Sequence, residues 1–411
     1  MTRVPTLWSY LKKYWGQYLG GLICLLTVDF VELYIPQLTG AITDGLTAGN
    51  FPMKMLLLDV LGIILVAATA ALMRFGWRVW MFGASRRVER DLREDLYEKL
   101  SGLSNRFFQH HKTGDLMAYF SNDMDAIRMA VGPGILTTFD AVVMTLMVVV
   151  KMIVYVDLKL TLLAMVPLLV ILFGGSQYGT AISRRYEKKQ AAFGKLTDFV
   201  QESVSGIRVL KAFVQDAQDY RAFDQVAREN QKANLKVVKL RSFVLPLLDA
   251  LVGVASGLTL LYGGYLVING TITLGKFVAF NTYVMTLVWP MLAAGESITM
   301  VSQGGASWKR VRSLFAETPE VADDGHTDRS IAEIGSDITC KNLHFRYADG
   351  LPEVFSGFNA EIPAGATIGV LGRTGCGKST LVSLLTRLYN VEPGQIYIGG
   401  QDIRSIPIGV L

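Results

Sequence analysis

Residues 372–379 of this chain read Gly-Arg-Thr-Gly-Cys-Gly-Lys-Ser, and they carry its clearest chemical signal. Glycines at this spacing let the backbone turn so that consecutive N–H groups face phosphate oxygens. Lys378 has the position that reaches the β- and γ-phosphates, and Ser379 has the position whose hydroxyl binds Mg²⁺. The pattern predicts a site for ATP and Mg²⁺ formed by Gly372, Arg373, Thr374, Gly375, Cys376, Gly377, Lys378, Ser379 and Thr380.

Such a loop works only if neighbouring elements hold it. The apolar run Thr367–Leu371 before it predicts a strand, and residues 379–388 after it predict a helix whose positive end faces the phosphates. Alternation at residues 343–347 and the run 395–398, followed by two glycines, predict further strands. The C-terminal part of the chain is therefore predicted to be an α/β phosphate-binding domain.

The composition indicates a membrane protein. The chain has 411 residues, 51% of them hydrophobic, and a mean hydropathy of +0.35, which is too apolar for an ordinary soluble protein. The net charge of +5 does not indicate nucleic-acid binding, because Lys and Arg are concentrated between apolar stretches. Six stretches are long enough to cross a bilayer: 17–41, 56–82, 132–156, 158–181, 244–267 and 275–303.

Two long connections, 83–131 and 183–242, carry most of the positive charge, so the positive-inside rule places them and both chain ends in the cytoplasm. Apolar residues recur in them at three- and four-residue intervals, which predicts amphipathic helices. A helix over Gly83–Leu103 would extend roughly 30 Å beyond the bilayer. The predicted domains are a membrane domain at 1–315, a polar linker at 316–335 and the phosphate-binding domain at 336–411.

Three further segments accompany the phosphate loop: Thr113–Met117, Asn122–Ile127 and Glu202–Phe213. With the order of the parts, they make nearly the whole chain resemble a half-transporter of the type IV ABC exporter family. The resemblance implies a mainly α fold, a six-helix membrane domain with intracellular helical extensions, followed by the first part of an α/β nucleotide-binding domain. It also implies that these segments flank or form the coupling helices that dock on the nucleotide-binding domains.

By this resemblance, the chain is expected to act in the bacterial inner membrane. It would use ATP and Mg²⁺ to export amphipathic compounds or lipids. A second half-transporter is the expected partner, in a homodimer or a heterodimer. Residues 83–93 and 130–134 are similar to multidrug exporter halves that often form heterodimers, which favours the heterodimer.

The resemblance gives Tyr347 the place of the aromatic residue that stacks on adenine, an interaction worth about 1 kcal/mol. The alternative is a tyrosine at a strand end that packs on the core of its own domain. Both interpretations stay open on the sequence.

The 411 residues contain no glutamine loop, LSGGQ-like signature, Asp-Glu strand end or switch histidine after the phosphate loop, and His344 precedes it. We therefore expect that this chain does not hydrolyse ATP alone. We also expect weak nucleotide binding and a partly ordered C-terminal region, in which one face of the run 367–371 is partly uncovered. An incomplete gene product is the leading explanation. A non-catalytic membrane subunit that binds a partner is the alternative.

Ionisable residues within apolar spans are costly and often functional. Asp29 and Glu32 are candidates for a transport cavity, with Arg74 as a possible partner, and Lys151, Asp249 and Glu296 invite the same interpretation or a structural one. Cys24, Cys340 and Cys376 lack the spacing of a disulfide framework, so we expect no disulfide and a reducing compartment.

Overall fold

The computed structural model describes residues 4–49, 51–348 and 350–411. Long helices dominate, and a small sheet with one short helix lies near the C-terminus, so the predicted fold class is confirmed. The chain forms two compact units. The first contains the described parts of Met1–Thr6, with Arg90–Met124 and Trp308–Leu411, and the second contains Leu7–Glu89 and Asp125–Ser307.

Each of the six apolar ranges falls, to within a residue, in one long helix. By length and composition, α2, α3, α5, α8 and α9 can cross a membrane, and the described apolar part of α6 is the shorter stretch Leu158–Ile171. The helices are α1 (Leu7–Lys13), α2 (Trp15–Thr47), α3 (Met53–Ser101), α4 (Asn105–His110), α5 (Thr113–Tyr155), α6 (Leu158–Ser205), α7 (Ile207–Ala212), α8 (Asp216–Ile268) and α9 (Leu274–Ala316).

Three of these helices are locally irregular. A turn at Leu33 divides α2 into Trp15–Glu32 and Tyr34–Thr47. A π-helical turn at Arg78–Phe82 interrupts α3, between Met53–Trp77 and Gly83–Ser101. Two such turns, Tyr119–Asp123 and Ala130–Gly134, divide α5 into the segments Thr113–Ala118, Met124–Met129 and Ile135–Tyr155. The second turn contains Pro133, which cannot donate a backbone hydrogen bond.

The core of the second unit lies where α5, α6 and α9 pack together. Its buried side chains include Val148, Met152, Leu160, Leu168, Phe280, Tyr283 and Leu287. The Tyr283 hydroxyl donates a 2.8 Å hydrogen bond to the Leu33 carbonyl oxygen, at the break in α2. The Asp44 carboxylate accepts bonds of 2.6 Å from the Gly275 N–H and the Thr273 hydroxyl, which caps the start of α9.

The first unit holds a four-stranded antiparallel sheet in the order β2-β1-β3-β4. Leu343, Phe345, Leu384, Ile396 and Ile406 form the centre of its apolar core. The strands are β1 (Ile338–Phe345), β2 (Phe355–Ile362), β3 (Ile396–Ile398) and β4 (Gln401–Asp402), and the helix α10 spans Lys378–Leu385.

The prediction of a strand at Thr367–Leu371 was wrong for the described structure. This run pairs with no described strand, because a parallel strand exists only between neighbours and the pairs formed here are antiparallel. Ile368, Val370 and Leu371 are exposed, which confirms that this face is partly uncovered. The predicted helix 379–388 is shorter than expected, since Arg387, just after α10, has a φ of 51° and leaves the helical region.

Candidate nucleotide-binding site

The phosphate loop turns through two glycines with left-handed backbone conformations, φ 86° at Gly375 and φ 93° at Gly377. Other residues rarely adopt these angles. A Cβ at Gly377 would also lie only 2.8 Å from Cγ1 of Val354. Position 377, just before α10, therefore requires glycine for two reasons: its backbone conformation is left-handed, and it has no room for a side chain.

Lys378 closes the loop on itself. Its ammonium donates hydrogen bonds of 2.8 Å to the Gly372 carbonyl and 2.9 Å to the Arg373 carbonyl, and its Nζ lies 3.8 Å from Sγ of Cys376. An ammonium has three donors, and the third points at the sulfur of Cys376, a weak acceptor that a phosphate oxygen would replace. The structure thus brings the lysine and the glycine end of the motif together.

Ser379 and Thr380 occupy the first turn of α10, and their side chains differ in surroundings. Ser379 is exposed, as expected of a hydroxyl that meets a metal–phosphate complex. Thr380 is buried, and its hydroxyl shares a 2.8 Å hydrogen bond with that of Tyr347. Tyr347 therefore lies beside the first turn of the helix that carries Lys378.

The Tyr347 ring packs edge-on against Phe345 and Tyr389, with centroid distances of 5.1 and 5.3 Å. This is the packing expected of the alternative interpretation, a tyrosine that belongs to the domain core. The ring is only partly buried, so one face is still open to a ligand. Stacking of Tyr347 on adenine stays a prediction.

The sequence did not single out the α4 helix, yet α4 makes close contacts with the nucleotide module, residues 336–411 of the first unit. The Arg106 guanidinium donates a 2.6 Å hydrogen bond to the carbonyl of Tyr347 and lies 3.4 Å from the Glu320 carboxylate. Arg106 thus holds the backbone of the residue predicted to contact adenine. The resemblance had placed the docking segment slightly later, near Thr113.

Two more α4 side chains converge on one hydroxyl. The amide groups of Asn105 and Gln109 donate hydrogen bonds of 2.7 and 2.5 Å to the Tyr389 hydroxyl. Tyr389 is 4% exposed, and burial raises the pKa of its phenol, so the hydroxyl stays protonated and neutral. Asn105 and Gln109 are four residues apart and share a helix face, which is the only local signal that sequence reasoning could have used.

A cleft of about 460 Å³ adjoins these contacts. Its three arginines, Arg106, Arg346 and Arg404, are matched by three glutamates, and Tyr347 and Tyr389 give it aromatic surface. The Glu353 carboxylate is 2.5 Å from Arg346 and its pKa lies below the usual range, chiefly because of the hydrogen bond from Arg346. The cleft therefore combines paired charges with aromatic surface, and the aromatic surface suits a ligand with a flat ring.

Among the described residues, no group of three or more His, Cys, Asp and Glu side chains could hold a metal ion. Mg²⁺ in ATP sites is bound largely through phosphates and water, with one or two protein ligands. The exposed Ser379 hydroxyl suits that arrangement. The loop, Lys378 and the start of α10 thus fit a metal–phosphate complex rather than a metal held by protein alone.

Known families and proteins match this architecture. The ABC transporter transmembrane region family matches residues 18–291, and the ABC transporter family matches residues 355–409. The chain is 34% identical over 399 residues to the probable multidrug resistance ABC transporter ATP-binding/permease protein YheI of Bacillus subtilis (strain 168), covering 97% of this chain and 68% of that protein.

Two other relatives give the same picture. The multidrug resistance-like ATP-binding protein MdlA of Escherichia coli (strain K12) is 33% identical, over 94% of this chain and 65% of its own length. The ATP-dependent lipid A-core flippase of Syntrophus aciditrophicus (strain SB) is 31% identical, over 85% of this chain and 57% of its own length. The chain thus spans about two thirds of the length of the first two relatives. It is a multi-pass membrane protein of the ABC transporter family, with the transmembrane region fused to part of an ATP-binding domain.

Proposed function

We propose that this chain is one half of an ATP-driven exporter of small amphipathic compounds or lipids. The observation that carries the proposal is the set of hydrogen bonds from α4 to Tyr347 and Tyr389, beside the phosphate loop. The names of the relatives, which include multidrug and lipid transporters, support this substrate class. Export as the direction rests on those relatives.

Each part of the site has a distinct role in this proposal. Loop N–H groups and Lys378 bind the phosphates, Ser379 contributes its hydroxyl to Mg²⁺, and Tyr347 contacts the base. MgATP supplies the free energy that drives the transport cycle. Because Arg106 holds the Tyr347 carbonyl, a shift of Tyr347 on nucleotide binding pulls on α4. The helix α4 then transmits the change along the chain.

A second half-transporter is part of the proposal, because the chain holds one transmembrane region and one phosphate loop. The end of the second long connection suits a partner surface. Ile207, Val209, Phe213 and Val214 are all exposed there, in and just after α7. We propose a heterodimer in the bacterial inner membrane, with this connection and both chain ends in the cytoplasm.

A non-catalytic membrane subunit is the second candidate. The exposed run Ile368, Val370 and Leu371 favours it, because a nucleotide site beside an apolar run that joins no sheet should bind weakly. Reading the gene past the codon for Leu411 separates the two candidates. An open frame that encodes a signature motif favours the exporter, and a stop codon favours the subunit.

Transport tests the proposed function directly. The chain, reconstituted with a second half-transporter into inside-out vesicles, should accumulate an amphipathic dye when MgATP is added and not when MgADP is added. Vesicles with only the partner serve as the control. Equal dye uptake with and without this chain would contradict the proposal.

Cys376 reports on the nucleotide site. Its thiol is exposed in the phosphate loop, whereas Cys24 is half-buried and Cys340 is buried with its pKa raised by burial. A maleimide should therefore label Cys376 first, and MgATP should slow that labelling severalfold while leaving Cys24 unchanged. Mass spectrometry of the labelled peptides measures both rates. Equal labelling of Cys376 with and without MgATP would show that the loop does not bind nucleotide.

A further inference from the structure

Four ionisable side chains meet within the helices of the second unit that carry apolar spans. Arg74 of α3 forms an ion pair with Glu32 of α2, which confirms the pairing that the sequence suggested for Arg74. This pair neutralises both partners. Glu32 is therefore already occupied by a cation of the protein itself, and the charge that needs explanation is that of Asp29.

Asp29 is 3% exposed, and its Oδ2 has no hydrogen-bond partner among the described residues. A buried carboxylate oxygen without a donor is costly. The carboxyl of Asp140, on α5, faces Asp29 within hydrogen-bonding reach. Two carboxylates have only acceptors, so a hydrogen bond between them requires that one carries a proton.

The surrounding charges lead to the same requirement. The helices α3 and α5 pack against α2, and the charged groups that act on Asp29 are Asp140, Glu32 and Arg74. Three carboxyls face one guanidinium, and Arg74 is engaged by Glu32. Two adjacent carboxylates cannot both stay ionised in apolar surroundings, so the pair needs at least one more positive charge.

A metal ion does not supply this charge well. Ca²⁺ and Mg²⁺ take six or more oxygen ligands, and the described residues contain no cluster that could hold a metal. A larger organic cation needs an open cavity, whereas Asp29 is almost completely enclosed. The occupant that needs neither ligands nor space is a proton.

We propose that Asp29 and Asp140 form a proton-binding pair within the membrane-spanning bundle, linked electrostatically to the Arg74–Glu32 ion pair. One proton from water converts one carboxylate of the pair to a carboxylic acid, which donates its O–H to the other. While Arg74 is paired with Glu32 the proton is held. If Arg74 turns to Asp29 or Asp140, the guanidinium replaces the proton, which returns to water. This inference does not depend on the proposed export function.

Infrared spectroscopy of the whole chain in lipid nanodiscs tests the pair. At neutral pH the wild type should show a carbonyl band of a protonated carboxylic acid that is lost in Asp29→Asn and in Asp140→Asn. Asp44→Asn is the matched control and should keep the band, because the Asp44 carboxylate already accepts two hydrogen bonds. Glu32→Gln releases Arg74, which can then pair with Asp29 or Asp140 in place of the proton. As the pH is raised, the band should therefore disappear at a lower pH in this variant than in the wild type.

A band that is unchanged in both asparagine variants at Asp29 and Asp140 would overturn the proposal, and so would its absence from the wild type. If either variant fails to fold, the wild type still decides the question. A hydrophobic carbodiimide reacts with protonated carboxyls and can reach Asp140, whose side chain is only partly buried. Mass spectrometry should find its adduct on Asp140 at neutral pH, and the lack of this adduct would overturn the proposal.

Discussion

Lys378→Ala should weaken MgATP binding by this chain about ten- to a hundredfold. Charge-assisted hydrogen bonds contribute about 1.5–3 kcal/mol, and about 1.4 kcal/mol corresponds to a factor of ten in affinity. The variant also loses the bonds to the Gly372 and Arg373 carbonyls that close the loop. Photolabelling with an azido-ATP analogue, at a series of concentrations in nanodiscs, measures the change.

Lys341→Ala is the matched control for this measurement. Lys341 is an exposed lysine of the same unit, and its ammonium lies 4.9 Å from the centroid of the Tyr397 ring, on the sheet. Its removal should leave photolabelling unchanged. Equal photolabelling of wild type and Lys378→Ala would mean that Lys378 does not contact phosphate.

Tyr389→Phe should loosen the attachment of α4 to residues 336–411 by about 0.5–1.5 kcal/mol, because the half-buried Asn105 amide and the exposed Gln109 amide lose a shared acceptor. The aromatic contacts of the ring are kept. Hydrogen exchange of the peptides that contain α4 and residues 386–392 should become faster, by about two- to tenfold.

Tyr397→Phe provides the comparison, since it removes a tyrosine hydroxyl from β3 of the same sheet. It should leave exchange in α4 at the wild-type rate. If Tyr389→Phe also exchanges at the wild-type rate, the hydrogen bonds from α4 do not hold the helix in place. The coupling role proposed for Arg106 would then lose its structural basis.

Local patterns predicted the helices well, because an apolar run of this length leaves few alternatives to a helix. All six apolar ranges lie in long helices, and the amphipathic connections are helical as expected. The strand at Thr367–Leu371 was mispredicted because a strand depends on neighbours that its own sequence does not specify.

Contacts between distant residues were beyond sequence reasoning. Arg106 and Tyr347 meet across 241 positions, and no periodicity links them. Asp140 was overlooked for a similar reason. It is a single acidic residue in an apolar helix, and its importance becomes visible only when packing places it beside Asp29. Spacing could predict the phosphate loop because all its partners lie within eight consecutive residues.

The break at Leu33 has a consequence for how the bundle can bend. Hydrogen bonds fasten the segment Tyr34–Thr47 to α9 at both ends, one from Tyr283 to Leu33 and one from Gly275 to Asp44. Between them, Gly40 lies so close to α9 that a Cβ there would be 2.6 Å from the Gly275 oxygen. Tyr34–Thr47 and α9 should therefore rotate as one rigid body. The pivot falls at Leu33, immediately after the stretch that carries Asp29 and Glu32, so any tilt of this body alters the geometry of the acidic side chains first.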